Sequence, residues 1–184
     1  MPVNSTNQDL GWKAPKFNLL NVNNNKLTLD EIKGANGTVI AFICNHCPYV
    51  ISIVKRLKFE SDELKKHSIN TIAIMSNDVN HYPDDSFENM KLFANKYQFN
   101  FPYLYDESQE VANNYKAVCT PDIYGFNSEL ILQYRGRIDS AVIKNNNKND
   151  KIERELYNAM IDIKDKGFTN LKQFNSFGCS IKWK

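Results

Sequence analysis

Two cysteines, Cys44 and Cys47, are separated by two residues and followed by Pro48. Bent into the first turn of a helix, this spacing brings the two sulfurs close enough for a disulfide without large backbone movement. A helix N-terminus carries partial positive charge and unpaired N–H groups, which stabilise a thiolate and lower its pKa. The pattern predicts a redox pair in which Cys44 is the nucleophile and Cys47, one turn deeper, resolves a mixed disulfide by intramolecular attack.

His46 lies between the two cysteines. As a cation or as an N–H donor it would stabilise the Cys44 thiolate, and that would make the disulfide more oxidising. The hypothesis predicts that His46→Ala changes both the reduction potential and the pKa of Cys44. Pro48 falls in the first helical turn, where a missing N–H costs little.

The motif has three possible uses other than redox chemistry. The two cysteines could be small buried apolar residues, but burial alone requires neither this spacing nor this position before a helix. They could form half of a zinc site, but the remaining candidates, Cys119, Cys179, His67 and His81, form no second closely spaced pair. Covalent haem attachment requires a histidine after the second cysteine, where this chain has a proline. We therefore expect no metal and no cofactor.

Hydrophobic periodicity predicts the elements that position the motif. Strands alternate with amphipathic helices, which indicates a mixed sheet covered by helices on both faces, with the motif at a junction between a buried strand and a helix. The predicted strands are residues 17–20 and 26–29 as a hairpin, then 38–44, 69–75 and 101–105, and a second hairpin of 122–126 and 130–134. The predicted helices begin after Pro48, near Asp85, at Asp106 and at about Asp150.

Capping residues and apolar stripes set the expected ends of the helices. Asp85 and Glu88 have the spacing of a capping box before an apolar stripe. The last helix, residues 150–166, would carry Ile152 on its core face and end at Gly167, the position of a C-cap glycine. An asparagine-rich segment at residues 145–148 predicts a loop before it.

Composition excludes several classes of protein. The 184 residues are 42% hydrophobic, which is enough for a core without disulfide staples. A net charge of +2, with both signs spread along the chain, predicts neither nucleic acid nor an anionic membrane as a partner. No apolar run approaches the roughly 20 residues needed to span a bilayer. The start of the chain lacks the regions of a signal peptide, and four cysteines are too few for a secreted disulfide scaffold, so we expect a cytoplasmic protein.

Several segments resemble the thioredoxin-like superfamily, in the redoxin branch that contains AhpC/TSA-type peroxiredoxin-like and TlpA-like proteins. Residues 11–19, GWKAPKFNL, are similar to the G-x-x-A-P-x-F-x-L pattern of that branch, and residues 101–106, FPYLYD, match its F-P-x-L-x-D pattern. The C-terminal residues 176–184 also resemble the tail of thioredoxin-like proteins with a C-N-H-C-P motif. The resemblance implies an α/β, thioredoxin-like fold: a central mixed β-sheet flanked by helices, with an N-terminal β-hairpin and a strand-helix insertion. It implies one domain over residues 1–184, with a core of about 11–167 and a C-terminal tail of 168–184.

The resemblance also assigns a binding loop. Thr120 and Pro121 fall where the superfamily has its cis-proline loop, which faces the redox cysteines and docks the backbone of a partner chain. Thr120 and Pro121 are therefore expected to bind substrate across a cis peptide bond.

Two departures from the superfamily bear on the activity. Thr38 stands where thioredoxins commonly keep a buried carboxylate, so proton transfer must use another group, such as water or the histidine of the motif. Aligned on Cys47, the peroxiredoxin motif P-x-x-x-[TS]-x-x-C would require Pro at Ile40 and Thr or Ser at Cys44, and neither is present.

Two further cysteines are candidate accessory thiols. Cys119 immediately precedes the cis-proline loop, so a relay to the redox pair and simple packing are equally open. Cys179, in the tail, could be a further resolving thiol or a packed one, and packing is favoured. Residues 135–137, RGR, are interpreted as solvated charges that protect a strand edge. Trp183, with Phe174 and Phe177, suggests a tail that docks through aromatic side chains.

These features predict a thiol–disulfide oxidoreductase in which Cys44 forms a mixed disulfide with a substrate and Cys47 resolves it. Its partners would be a protein or small-molecule disulfide and a thiol reductant; the oligomeric state is left open. One alternative is a peroxiredoxin-like thiol peroxidase with an antioxidant role, in which peroxide oxidises one cysteine to a sulfenic acid and the other condenses with it. A second alternative is a non-catalytic binding module that retains the fold.

Overall fold

The computed structural model describes residues 2–5, 9–141 and 152–184. Within those ranges the central sheet has the strand order β3-β2-β6-β5-β4-β8-β9. The strands are β2 (Asn18–Asn21), β3 (Lys26–Thr28), β4 (Gly37–Phe42), β5 (Ile69–Met75), β6 (Tyr103–Tyr105), β8 (Asp122–Phe126) and β9 (Leu132–Gly136). β4, β5 and β6 run parallel, and the remaining pairs are antiparallel, so the sheet is mixed as expected.

A second, smaller sheet joins the two ends of the chain. It has the order β1-β10-β7, in which β1 is Pro2–Asn4, β7 is Cys119–Thr120 and β10 is Phe177–Ser180. Both of its strand pairs are antiparallel. The tail thus pairs with the segment that precedes Pro121.

Helices cover both faces of the central sheet. They are α1 (Leu29–Ile32), α2 (Pro48–Lys65), α3 (Phe87–Lys96), α4 (Glu110–Asn114) and α5 (Glu155–Lys166). Alternation along β4 explains the two layers: Val39 and Ala41 pack with side chains of α2, α3 and α5, whereas Ile40 and Phe42 pack with those of α1 and α4. β4 is therefore buried on both sides, and its C-terminal end delivers the chain to Cys44 and then to α2. No helix in the described part of the chain is long and apolar enough to cross a membrane.

The structure corrects the predicted start of α3. Ser86, not Asp85, is the N-cap, and its side chain accepts a hydrogen bond from the N–H of Asn89. Asp85 ends a short 3-10 helix, Pro83–Asp85, and is fully buried. The carboxylate of Asp85 therefore does not cap α3 and makes its contacts elsewhere in the structure.

The last helix also differs from its prediction at its start. α5 begins at Glu155, and Ile152 is exposed rather than on the core face. The other end is confirmed, because Gly167 adopts a left-handed conformation with φ of 84° as the C-cap. The predicted loop at residues 145–148 and the predicted helix start at Asp150 lie outside the described residues.

Arg135 is not a solvated edge charge. Its guanidinium is buried and lies 2.9 Å from the carboxylate of Asp122 on the neighbouring strand. Arg137, two residues later, pairs with Glu155 of α5 at 2.6 Å. Burial of strand β9 under the tail and α5 accounts for the difference, since the tail covers what would otherwise be an edge.

The tail docks mainly through its backbone and less through aromatic side chains than expected. Trp183 and Phe177 remain exposed, although Phe177 makes an edge contact with Tyr49. Phe174 packs under the guanidinium of Arg137. Strand pairing through β10 and burial of Ile181 supply the rest of the contact.

Candidate active site

Thr120 is the point at which the predicted site residues meet. Its hydroxyl Oγ1 lies 3.3 Å from the Sγ of Cys44, and its carbonyl oxygen lies 3.2 Å from the Sγ of Cys47, which donates to it in the thiol form. The Thr120–Pro121 bond is cis, as expected. Cys44 and Cys47 are free thiols, and both are buried. The loop before α2 and the loop after β7 therefore face each other across the two sulfurs.

The helix N-terminus acts on Cys47 rather than on Cys44. α2 begins at Pro48, whose missing N–H suits the first helical position, and Cys47 is consequently the N-cap residue. A hydrogen bond from Cys44 lowers the pKa of Cys47 to about 5, and further hydrogen bonds from Cys179 and from the backbone N–H of Val50 act in the same direction. These contacts favour Cys47 over Cys44 as the thiolate of the reduced pair.

The expectation that the pKa of Cys44 is lowered is wrong. Cys44 retains the proton that it donates to Cys47, and that hydrogen bond raises the pKa of Cys44 well above its ordinary value. Burial and the negative charge of Asp85 raise it further. Cys44 lies before the helix, so the helix dipole does not offset these effects.

Asp85 is the site residue that the sequence analysis missed. Its Oδ1 accepts a hydrogen bond from the N–H of Asn45 at 2.7 Å, and its Oδ2 accepts one from the side chain of Asn77 at 2.7 Å. The Nδ1 of His46 lies 2.7 Å from the same Oδ2. Contact with this carboxylate raises the pKa of His46, while partial burial opposes the shift. The spacing of Asp85 and Glu88 predicts a helix cap, which is a local structure. It gives no information about a contact with a residue 40 positions away in the sequence.

His46 is held on two sides. The ring of Tyr82 stacks on it with centroids 5.9 Å apart and an angle of 8° between the planes. The ligand atoms of Cys44, His46 and Asp85 all lie within 4.8 Å of one another. This arrangement can move a proton between Cys44 and His46, with Asp85 stabilising the imidazolium. The same three donors could also hold a metal ion, whereas the sequence predicts none at this motif.

The loop that carries His46 is fixed by Asn45. The Asn45 side chain accepts a hydrogen bond from the hydroxyl of Tyr103 at 2.9 Å and donates one to the carbonyl of Asp84 at 3.1 Å. The segment between β4 and α2 is thus tied to β6 and to the 3-10 helix. The geometry around Cys44 is set before any substrate arrives.

The two accessory thiols lie on different sides of β7. Cys179 is directly opposite Thr120 in the β10–β7 pair, is partly exposed and packs against the core cluster that contains Cys47. Burial first, and then hydrogen bonding to Cys47, raises the pKa of Cys179 to about 11. Cys119 is fully buried, and burial raises its pKa, with Asp122 contributing to the increase. Side chains alternate along a strand, so Cys119 and Thr120 project to opposite faces.

An apolar groove runs beside the cis-proline. Tyr49, Ile53, Pro121, Ile138 and Phe177 are among the residues that line it. It is bounded by the cis-proline on one side and by the start of the tail strand on the other, so an apolar side chain of a docked chain would have a place to bind.

Comparison with known proteins finds a matching family model and similar solved structures. The model of the AhpC/TSA family matches residues 10–141. The solved structure of an uncharacterized conserved protein from Geobacillus kaustophilus is 42% identical, with a TM-score of 0.92, over 100% of this chain and 97% of that chain. A hypothetical protein from Sinorhizobium meliloti is 34% identical, with a TM-score of 0.90, over 98% of each chain.

A more distant structure supports the fold alone. A secreted disulfide oxidoreductase from Mycobacterium tuberculosis is 14% identical, with a TM-score of 0.54, over 64% of this chain and 80% of that chain. No curated protein sequence matches the chain significantly. The expected thioredoxin-like fold, with its central mixed sheet flanked by helices, is confirmed.

Proposed function

Because this chain belongs to the AhpC/TSA family, we propose that it is a thiol–disulfide oxidoreductase whose redox-active pair is Cys44 and Cys47. The observation that carries the proposal is the contact of both sulfurs with Thr120, next to a cis-proline and at the start of α2. The low pKa of Cys47 adds a nucleophile at neutral pH. Cytoplasmic location is part of the same proposal.

The first step is attack by the Cys47 thiolate on one sulfur of a substrate disulfide. The substrate S–S bond breaks, a bond forms between Cys47 and that sulfur, and the other substrate sulfur leaves with the electron pair and takes up a proton. The substrate chain binds along Thr120 and Pro121, with an apolar side chain in the adjacent groove. This order exchanges the roles that the spacing predicts for the two cysteines, and the lowered pKa of Cys47 supports the exchange.

The second step is resolution by Cys44. The Cys44 thiol transfers its proton to His46, and its sulfur attacks Cys47, so that a Cys44–Cys47 bond forms and the second substrate thiolate leaves. Asp85 stabilises the imidazolium that results. The substrate gains two electrons, the pair becomes a disulfide, and a thiol reductant restores the dithiol.

Reduction of insulin by dithiothreitol tests the proposed activity. The wild-type protein should accelerate the reaction, and both Cys44→Ser and Cys47→Ser should return the rate to that of dithiothreitol alone. Cys119→Ala, which changes a buried cysteine on the other side of β7, is the matched control and should keep the activity. No acceleration by a folded wild-type protein would contradict the proposal.

Trapping with oxidised glutathione decides which cysteine attacks first. A variant that lacks the resolving cysteine accumulates the mixed disulfide. With Cys179 also changed to alanine, so that it cannot resolve the mixed disulfide, we expect reduced Cys44→Ser to carry glutathione on Cys47 and reduced Cys47→Ser to react far more slowly. The opposite result would restore Cys44 as the nucleophile.

A thiol peroxidase with an antioxidant role is the second candidate function, and the Cys47 thiolate at the helix N-cap favours it. In this chemistry the thiolate attacks a peroxide oxygen, the O–O bond breaks with loss of hydroxide, and Cys44 condenses with the sulfenic acid to release water. Ile40 and Cys44, which replace the Pro and the Thr or Ser of the peroxiredoxin motif, speak against it. Hydrogen peroxide consumption by the reduced protein, compared with Cys47→Ser and a free thiol, separates the two functions. A rate no faster than that of the free thiol eliminates the peroxidase.

A further inference from the structure

The tail strand β10 occupies the edge on which a substrate chain would dock. Cys179 is paired with Thr120, and Ser180 with Cys119, in antiparallel register. On its other side β10 pairs with β1, where Cys179 is opposite Pro2. The chain therefore supplies its own extended strand to the loop that faces the redox pair.

The register places Cys179 on the same face as the redox pair. Residues directly opposite each other in an antiparallel pair project to one face, with Cβ atoms about 4.5–5.5 Å apart. Thr120 points its hydroxyl at Cys44, so its partner Cys179 projects toward the same sulfurs. By the same rule, Cys119 and Ser180 project to the opposite face.

Gly178 explains how the tail comes so close. A Cβ added at Gly178 would lie 2.0 Å from the carbonyl oxygen of Thr120 and 3.0 Å from the ring of Pro121. Only a glycine allows the backbone to lie against the cis-proline loop at this point. The next residue, Cys179, is thereby held at the carbonyl that also accepts from Cys47.

We propose that Cys179 is a third redox residue, which takes over the disulfide from the Cys44–Cys47 pair and presents it to an external thiol. The proposal rests on the redox function proposed above. The Cys179 sulfur, on losing its proton, attacks Cys47; the Cys47–Cys179 bond forms, the Cys44–Cys47 bond breaks, and Cys44 leaves with the electron pair and takes up the proton. The step is an internal exchange that needs no added oxidant or reductant.

The partial exposure of Cys179 explains what this exchange would achieve. Cys44 and Cys47 are buried, whereas Cys179 is partly exposed, so a disulfide that includes Cys179 is open to attack by a thiol from solution. Part of the increase in the pKa of Cys179 comes from Cys47 itself. That contribution vanishes once Cys47 is held in a disulfide, and deprotonation of Cys179 becomes easier at the moment when its attack is required.

Disulfide mapping of Cys44→Ser tests the proposal without substrate turnover. The reduced variant is oxidised with diamide, which removes two protons and two electrons from a pair of thiols; free thiols are blocked with N-ethylmaleimide, and the monomer is digested for mass spectrometry. We expect a peptide pair linked through Cys47 and Cys179 in most molecules, with Cys119 blocked as a free thiol. Wild-type protein oxidised with less than one equivalent of diamide should show both the Cys44–Cys47 and the Cys47–Cys179 links.

Two variants that retain Cys44, Cys47 and Cys179 make the test specific. Ser180→Ala lies on the same strand but projects to the other face, and the wild-type yield of the Cys47–Cys179 link should persist. Gly178→Ala pushes the strand from the loop and should lower that yield about tenfold or more, since the effective concentration of Cys179 at Cys47 falls. A folded Cys44→Ser protein in which Cys179 is free, or linked only to Cys119 or to a second molecule, would overturn the proposal. Failure of the wild-type protein to reduce insulin would instead remove the proposed function, which the diamide experiment does not require.

Discussion

Cys47 carries the charge of the reduced site although it is fully buried. The sulfur is at the N-cap of α2, accepts hydrogen bonds from Cys44 and Cys179, and has a pKa of about 5. Cys44 cannot share that charge, because Asp85 repels a second anion and burial disfavours it. The two neighbouring sulfurs therefore divide the roles of thiolate and thiol.

Ultraviolet absorbance of the thiolate should show this division. We expect the reduced protein to absorb as one thiolate at neutral pH and to lose that absorbance as the pH falls through about 5, since a lowered pKa keeps the charged form down to that pH. Cys47→Ser should abolish the low-pH transition, and Cys119→Ala should leave it in place. Loss of the transition in Cys44→Ser with retention in Cys47→Ser would contradict the assignment.

Asp85 is a positioning residue, because it acts on Cys44 through His46. We expect Asp85→Asn to lower the pKa of His46, measured by NMR of its imidazole, and to slow resolution of the mixed disulfide by about a hundredfold, the usual scale of lost acid–base catalysis. Asp84→Asn, an exposed neighbour whose charge makes the smallest contribution to the pKa of His46, is the comparison variant and should change both quantities much less. The measurement is repeated with a chelator, since the same residues could hold a metal ion. An unchanged imidazole pKa in Asp85→Asn would exclude the positioning role.

At the scale of elements, the site is built from a strand end, a helix start, a cis-proline loop and a tail strand. β4 and α2 bring Cys44 and Cys47, β7 brings Thr120, and β10 brings Cys179. β10 is the element that a substrate must displace if it is to pair with β7. The stability of the β10–β7 pairing therefore controls access to the buried sulfurs.

Gly178→Ala should weaken the pairing of β10 with β7. The added methyl group overlaps the carbonyl of Thr120, so we expect a loss of about 1–3 kcal/mol in the free energy of unfolding, measured in urea. N-ethylmaleimide should react with the redox pair faster in the variant, because the tail no longer covers the sulfurs. Ser180→Ala is the control for both measurements. Alkylation at the wild-type rate in a destabilised Gly178→Ala protein would show that the tail does not limit access.

At the scale of the whole molecule, residues from four distant segments of the chain meet at one end of the central sheet. The stability of that end depends on a buried ion pair beneath the cis-proline loop, between Asp122 of β8 and Arg135 of β9. Arg135 also donates to the carbonyl of Lys116 and lies over the ring of Tyr124. It thus joins the segment before β7 to both strands of the last hairpin.

Removal of one partner of this pair should be costly. We expect Arg135→Leu to lower the free energy of unfolding by about 3–5 kcal/mol, because Asp122 then remains as a buried carboxylate without its cation. Lys16→Gln, which breaks an exposed ion pair with Asp30, should cost at most about 1 kcal/mol. Urea unfolding of both variants measures the contrast. A loss in Arg135→Leu as small as that in Lys16→Gln would contradict the structural role of the pair.

The sequence by itself determined those features that depend on neighbouring residues. Short apolar runs identified the central strands, the C-x-x-C spacing identified Cys44 and Cys47, and Gly167 marked a helix end. Each of these signals spans only a few residues, and over that distance the local backbone conformation fixes the relative positions of the side chains. Resemblance to a family added Thr120 and Pro121.

Only the tertiary structure decided which distant groups act on those residues. The capping-box spacing of Asp85 gave no sign that its carboxylate contacts His46. The hydrogen bond between the two cysteines lowers the pKa of Cys47 and raises that of Cys44, which the spacing did not predict. Strand register placed Cys179 opposite Thr120 and turned Cys119 away. The physical reason is common to all of these: charge interactions and strand pairing depend on distance in space, and sequence periodicity carries no information about which segments meet.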